Sequence, residues 1–228
     1  MNATLNNEST IAPLGRVIAP LGKWLLPLGV LITIFGYFGP WINHKVAGLV
    51  VMGLDLGEYV KFLLPVRGGQ ISLWREGFYL PLVTISLACS LYAFITSPRG
   101  DDGTRAFRYH WIARAIFISV AIVAALNMLP PAWTPGKLGA PEFRLQTAWI
   151  ILCLVMMAAS PFLGLIPRVI RAGIVTILAV ASIWFPVSGF LAVLPTISEL
   201  YHDSLRAGWG MYVLIMGLLV LIAGAWQK

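Results

Sequence analysis

The residues best equipped for chemistry fall in two separated stretches: Asp55, Glu58, Lys61, Arg75 and Glu76 in one, and His202, Asp203 and Arg206 in the other. Carboxylates beside basic groups can trade protons, hold a polar ligand or simply pair with one another. Asp55-Leu-Gly-Glu58 also has the form of a capping box, with Asp55 as the cap and an acid three positions later, so these acids have a structural reading too. Glu199-x-x-His202 has the spacing of half a carboxylate-bridged di-iron site. That site takes a second copy and carboxylates from further helices, and the sequence holds no second copy.

His44, His110 and His202 belong to three separate segments and make no pair of axial haem ligands by spacing. No phosphate-binding glycine loop, HExxH, CxxC or GxSxG is present. The sequence therefore names no catalytic residue, no metal ligand and no cofactor. The eight charged groups read foremost as mutual ion pairs, with a shared polar vestibule or docking surface as the sharper alternative.

The elements that position these groups follow from composition. The chain has 228 residues, of which 59% are hydrophobic and only 11% charged, a balance that polar surface cannot cover in a water-soluble fold of this size. This predicts an all-α, polytopic integral membrane protein. Six apolar runs stand out at 24–41, 78–95, 111–129, 147–165, 173–194 and 209–226, each near the roughly 20 residues needed to cross the hydrocarbon. Residues 1–228 are read as one transmembrane domain, with a Pro/Gly-rich interfacial segment at 1–23 and a six-helix membrane bundle at 24–226. No room is left for a soluble catalytic domain, which excludes a cytosolic enzyme, a nucleotide-driven motor and a DNA-binding module. Nucleic acid is not an expected partner.

Aromatic residues mark many run ends, among them Trp24, Trp41, Tyr79, Trp111, Trp149, Trp209 and Trp226, as rings at the headgroup level would. The 44–77 loop is too apolar for a free coil. Leu56, Tyr59, Val60 and Leu63 fall on one face and predict a short interfacial helix, ended by Pro65 and Gly68-Gly69. Thr196 and Glu199 predict a second such helix, with Pro195 closing the preceding span.

Charge sets the orientation. With the N-terminus inside, the inner segments hold nine basic and three acidic residues, and the longer outer loops hold seven and six. That is the bias the positive-inside rule requires, and it places both termini in the cytoplasm and the chain in the cytoplasmic membrane. The short inner connectors, Arg99 to Arg108 and Arg168 to Arg171, suit anionic lipid headgroups or a cytoplasmic partner. The N-terminal stretch has no basic n-region and predicts no removable signal peptide.

Inside the runs the chemistry is sparse. Between their interfacial ends none contains Asp, Glu, Lys or His, the groups that mark proton relays and ion sites. Most of the in-span hydroxyls, among them Thr33, Thr84, Ser86, Ser90, Ser119, Ser160, Thr176, Ser182 and Ser188, are expected to bond back to the preceding helical turn. Cys89 and Cys153 read as buried free thiols.

Pro-Leu-Gly recurs at 13–15, 20–22 and 27–29, and Gly36 continues the series. The first two copies are expected to form a kinked lead-in to the first span. Gly22, Gly29 and Gly36, matched by Gly210, Gly217 and Gly224, predict helix-packing faces, because small residues let backbones approach closely. The functional expectation is a non-enzymatic membrane subunit of a multi-protein assembly, foremost a permease-type transport component energised by another chain. A structural or cofactor-enclosing subunit of a respiratory or photosynthetic complex comes second, and a lipid-modifying intramembrane enzyme third.

Overall fold

The computed structural model describes residues 12–42, 50–99, 104–130 and 134–227. His44, Lys45, Asp101, Asp102 and Lys228 lie outside them. Helices occupy all six apolar runs. α1 (Ala12–Tyr37) is followed by two strands, β1 (Pro40–Ile42) and β2 (Val51–Met52), and by the short helices α2 (Gly53–Tyr59) and α3 (Leu64–Arg67). A 3₁₀ turn at Arg75–Tyr79 opens α4 (Leu80–Tyr92), and strands β3 (Thr96–Arg99) and β4 (Thr104–Phe107) lead to α5 (Trp111–Leu126). Then come α6 (Pro135–Leu138), α7 (Arg144–Ala158), α8 (Ser160–Leu163), α9 (Arg168–Leu200) and α10 (Trp209–Trp226).

Three segments, Pro141–Ala158, Arg168–Leu200 and Trp209–Trp226, are long and apolar enough to cross a membrane. Gly22–Tyr37 and Trp111–Leu126 are shorter apolar helices.

The chain is mostly helical but not all-α: β1 pairs with β2 and β3 with β4, both antiparallel. Strands of two to four residues are too short to show a two-residue hydrophobic period. The Pro-Leu-Gly lead-in is also corrected, since α1 runs unbroken from Ala12 through all three copies. Nor does Pro195 end a helix. α9 contains both Pro186 and Pro195 and continues for 33 residues, about 50 Å at the helical rise. Buried Ile197 pins its last turns to the core, and the Ser198 hydroxyl donates to the Leu194 carbonyl.

α4 is the hub. All thirteen of its residues are buried, and α1, α5, α7 and α9 pack around it. Thr33, Ser90, Thr176 and Ser188 do bond back to the carbonyl four residues earlier. Two hub hydroxyls instead reach neighbouring helices: Thr84 and Ser182 share a hydrogen bond of 2.7 Å, and Ser86 donates to the Ala121 carbonyl at 2.9 Å. Cys89 and Cys153 are free and buried.

The most extensive helix pairing joins α1 and α10, antiparallel, with glycines where the two backbones come closest. A Cβ added at Gly29 would lie 2.6 Å from Leu221 Cα, and one at Gly36 the same distance from Leu214 Cα. From the other side, a Cβ at Gly217 would lie 2.7 Å from Thr33 Cα, one at Gly224 2.7 Å from Leu26 Cα, and one at Gly210 2.7 Å from the Gly39 carbonyl carbon. Gly22 faces the Gln227 side chain. Gly29, Gly36, Gly217 and Gly224 thus each open a notch that the backbone of the opposite helix fills, two on either helix.

Contacts distinguish the two ends of the bundle. At one, Tyr37 donates its hydroxyl to the Phe78 carbonyl; at the other, Tyr92 donates to Ala225 and Tyr109 to Lys23. These are called below the carboxylate end and the arginine end. Trp111, Trp209 and Trp226 are exposed at helix ends and Trp24 is exposed midway along α1, but Trp41 and Tyr79 are buried. Trp41 gives its ring N–H to the Gly36 carbonyl and meets Phe190 edge-on, and Tyr79 bonds to Glu58, so both rings are core.

Candidate functional site

The polar groups of the carboxylate end are held by α2, the turn before α4 and the turn before α7. α2 starts at Gly53 rather than after Asp55. Met52 is its cap, and Asp55 sits at the third helical position, accepting the Met52 backbone N–H at 3.0 Å. One turn on, the Glu58 carboxylate accepts from Lys61 at 2.6 Å and from the Tyr79 hydroxyl at 3.0 Å. A Cβ at the intervening Gly57 would strike the Tyr79 ring at 2.8 Å, so only glycine lets α2 lie this close.

Arg75 completes the network. It pairs with Glu76 at 3.2 Å and with Glu142 at 3.2 Å, and also donates to the Glu142 backbone carbonyl at 2.8 Å. Glu142 is shared, since Lys61 reaches it at 3.3 Å. The hydrogen bond to Glu58 foremost holds the Lys61 amine above its ordinary range, with burial working in the opposite direction. Burial, then the hydrogen bond from Tyr59 to the Tyr201 hydroxyl at 3.4 Å, pushes the Tyr59 hydroxyl up.

Beside this network lies a cavity of about 330 Å³, lined by Asp55, Glu58, Tyr59 and Tyr79 and by apolar side chains. Asn127 also lines a second, apolar cavity of about 180 Å³ among α1, α4 and α5. The other predicted group is separate. His202, exposed and with a left-handed backbone (φ 52°), lies just past the end of α9 and borders a shallow cavity with Phe62 to Pro65 and Glu199. Asp203 and Arg206 are exposed in the same loop. The structure thus joins Glu58, Lys61, Arg75 and Glu76 in one ion-pair chain and sets Asp55 beside it as a cap. The Tyr59–Tyr201 bond links α2 to the segment that carries His202.

The sequence reading missed Glu142, the acid that two cations share. Its signal was weak: a lone acid in Pro141-Glu142-Phe143, before the fourth run. The tyrosines at 59, 79 and 201 were missed as hydrogen-bonding groups. Among the described residues no group of three His, Cys, Asp or Glu side chains is placed to hold a metal ion. No known protein family, curated protein or solved structure matches the chain.

Proposed function

We propose that the chain is a six-pass integral membrane protein and a non-enzymatic subunit of a larger membrane assembly, oriented with the carboxylate end outside and both termini in the cytoplasm. The observation that carries this reading is the distribution of polarity. Apart from Lys23, where the apolar part of α1 begins, every described charged side chain lies near a helix end or in a connection, while the mid-helix surfaces expose large apolar groups such as Leu31, Ile116, Leu152, Ile177 and Leu219. In water those surfaces would drive aggregation, so lipid or other apolar chains must cover them.

Hydrophobic mismatch is modest, since the shorter apolar helices tolerate local thinning of the bilayer. α4, shorter still, is sheltered by its neighbours. A filled hub also bears on transport. Because α4 occupies the centre, a permease-type subunit built on this chain would line its passage together with a partner and draw its energy from another chain.

Extraction and gentle purification test the reading. The protein is expected to resist alkaline washing of membranes, to need detergent, and to co-purify with other chains at fixed stoichiometry, an ATP-hydrolysing one among them. Bound pigment or redox proteins would move it to a respiratory or photosynthetic complex. A lone chain that turns over a lipid would defeat the non-enzymatic reading.

A further inference from the structure

The arginine end poses a question that the proposed subunit role leaves open. α9 begins with Pro167 as its cap, carries Arg168 and Arg171 in its first turn, and has no acid there. A helix N-terminus already bears about half a positive charge, so basic side chains are misplaced at it unless an anion is supplied.

The side chains sharpen the mismatch. Arg171 is only 8% exposed and lies over the Tyr92 ring at 5.4 Å. Its hydrogen bond to the Gly164 carbonyl is long, 3.5 Å, and its buried Nε has no acceptor. Arg168 donates to the Trp226 carbonyl, and its own buried Nε is also without an acceptor. Arg108, arriving from the segment after β4, lies within electrostatic reach of Tyr92 and Arg171, as does Arg168.

Among the described residues little opposes this charge. The C-terminus of α10 offers the Ala225 carbonyl to Tyr92 and the Trp226 carbonyl to Arg168, worth about half a negative charge against three full positive ones. Among the described residues no carboxylate forms an ion pair with any of the three arginines.

We propose that Arg108, Arg168 and Arg171, gathered beside Tyr92 at the N-terminus of α9, bind a phosphate group. Phosphate fits where a carboxylate does not. Its several oxygens can answer more than one guanidinium fork at once and still accept from the first-turn N–H groups of α9. Two sources carry that group: the headgroup of an anionic phospholipid, or free phosphate. Exposed Trp226, tied to α9 by a 3.0 Å hydrogen bond to Thr176, lies beside the site as an aromatic at headgroup depth would. The lipid source rests on the membrane reading; the phosphate site itself does not.

The test uses the delipidated full-length protein in neutral detergent, and in nanodiscs of phosphatidylcholine with or without phosphatidylglycerol. Native mass spectrometry reads bound lipid, and thermal unfolding reads stabilisation by inorganic phosphate. The wild type is expected to retain one phosphatidylglycerol in preference to phosphatidylcholine and to be stabilised by millimolar phosphate. Arg171→Gln and Arg168→Gln should each weaken retention by about tenfold or more, the loss of a charge-assisted hydrogen bond. Arg171→Lys should fall between, and Arg67→Gln at the far end should behave as wild type.

Stabilisation by phosphate without preference for the anionic lipid would keep the site and assign it to the soluble source. Equal retention of both lipids with no response to phosphate would overturn the proposal, as would unchanged binding in both glutamine variants. Failure of the membrane reading has a different signature: a chain that stays soluble without detergent while phosphate still stabilises it.

Discussion

The two ends of the bundle solve the same electrostatic problem in opposite ways. At the carboxylate end the cations Lys61 and Arg75 are matched by Glu58, Glu76 and Glu142, with Glu142 shared, so that loss of one contact leaves each cation another. At the arginine end Arg168 and Arg171 meet backbone carbonyls and the Tyr92 ring, Arg108 lies within electrostatic reach of Tyr92 and Arg171, and among the described residues no carboxylate pairs with any of the three. One end is closed on itself; the other is open to an anion from outside. That asymmetry is more informative than net charge, because it assigns the excess to named side chains instead of to a surface average.

Both ends depend on the α1–α10 seam between them, so breaking it has the largest effect. Gly29→Leu or Gly217→Leu must push the helices apart, at about 3 kcal/mol or more, since a Cβ there meets backbone that cannot rotate away. Thermal unfolding in detergent should show a large drop for each. Val155→Leu, at a site 57% exposed on α7, should change stability by no more than about 0.5 kcal/mol.

The ends themselves are told apart by the sign of single-charge changes. Glu142→Gln should destabilise by about 0.5–1 kcal/mol, and less at high salt, because Lys61 keeps Glu58 and Arg75 keeps Glu76. Arg108→Gln in delipidated, phosphate-free protein should do the reverse, stabilising by up to about 0.5 kcal/mol through relief of like-charge repulsion. Denaturation of both variants in one buffer measures the contrast. Two changes of the same sign would erase it.

The smallest effect is one of pH. The Lys61 amine titrates above its ordinary value of 10.5. Its contribution is therefore fully present below that value and is lost only as pH rises through the raised one. Lys61→Met should narrow the stability gap to wild type only above about pH 10.5, with a constant gap between neutral pH and there.

What could be read from the sequence was what periodicity and solvent preference encode. The six apolar runs carry helices because their length and hydropathy leave no other way to satisfy the backbone. Residues 78–95 look like the other runs, although α4 is enclosed by protein on all sides, since hydropathy does not distinguish lipid from a neighbouring helix. Pro195 misled because a proline inside a helix costs one N–H bond and a clash with the carbonyl of the preceding turn, yet α9 continues past it with Ile197 buried in the core. Asp55 was read one role out of register: as a cap itself, when it bonds back to Met52. The basic connectors were legible, but the sharing of Glu142 and the meeting of Arg108 with Arg168 and Arg171 were hidden for a common reason. Each unites residues from distant segments, and no local pattern announces which distant charges will meet.

In the proposed arrangement the carboxylate end and the arginine end lie on opposite sides of a membrane. Cys89 and Cys153 are buried, so single introduced cysteines can be read against a quiet background. Lys137→Cys, beside the carboxylate end, should react with a membrane-impermeant maleimide in intact cells, and Asp102→Cys only after permeabilisation. Labelling of Asp102→Cys but not Lys137→Cys in intact cells would reverse the orientation, and equal labelling of both would contradict the spanning arrangement itself.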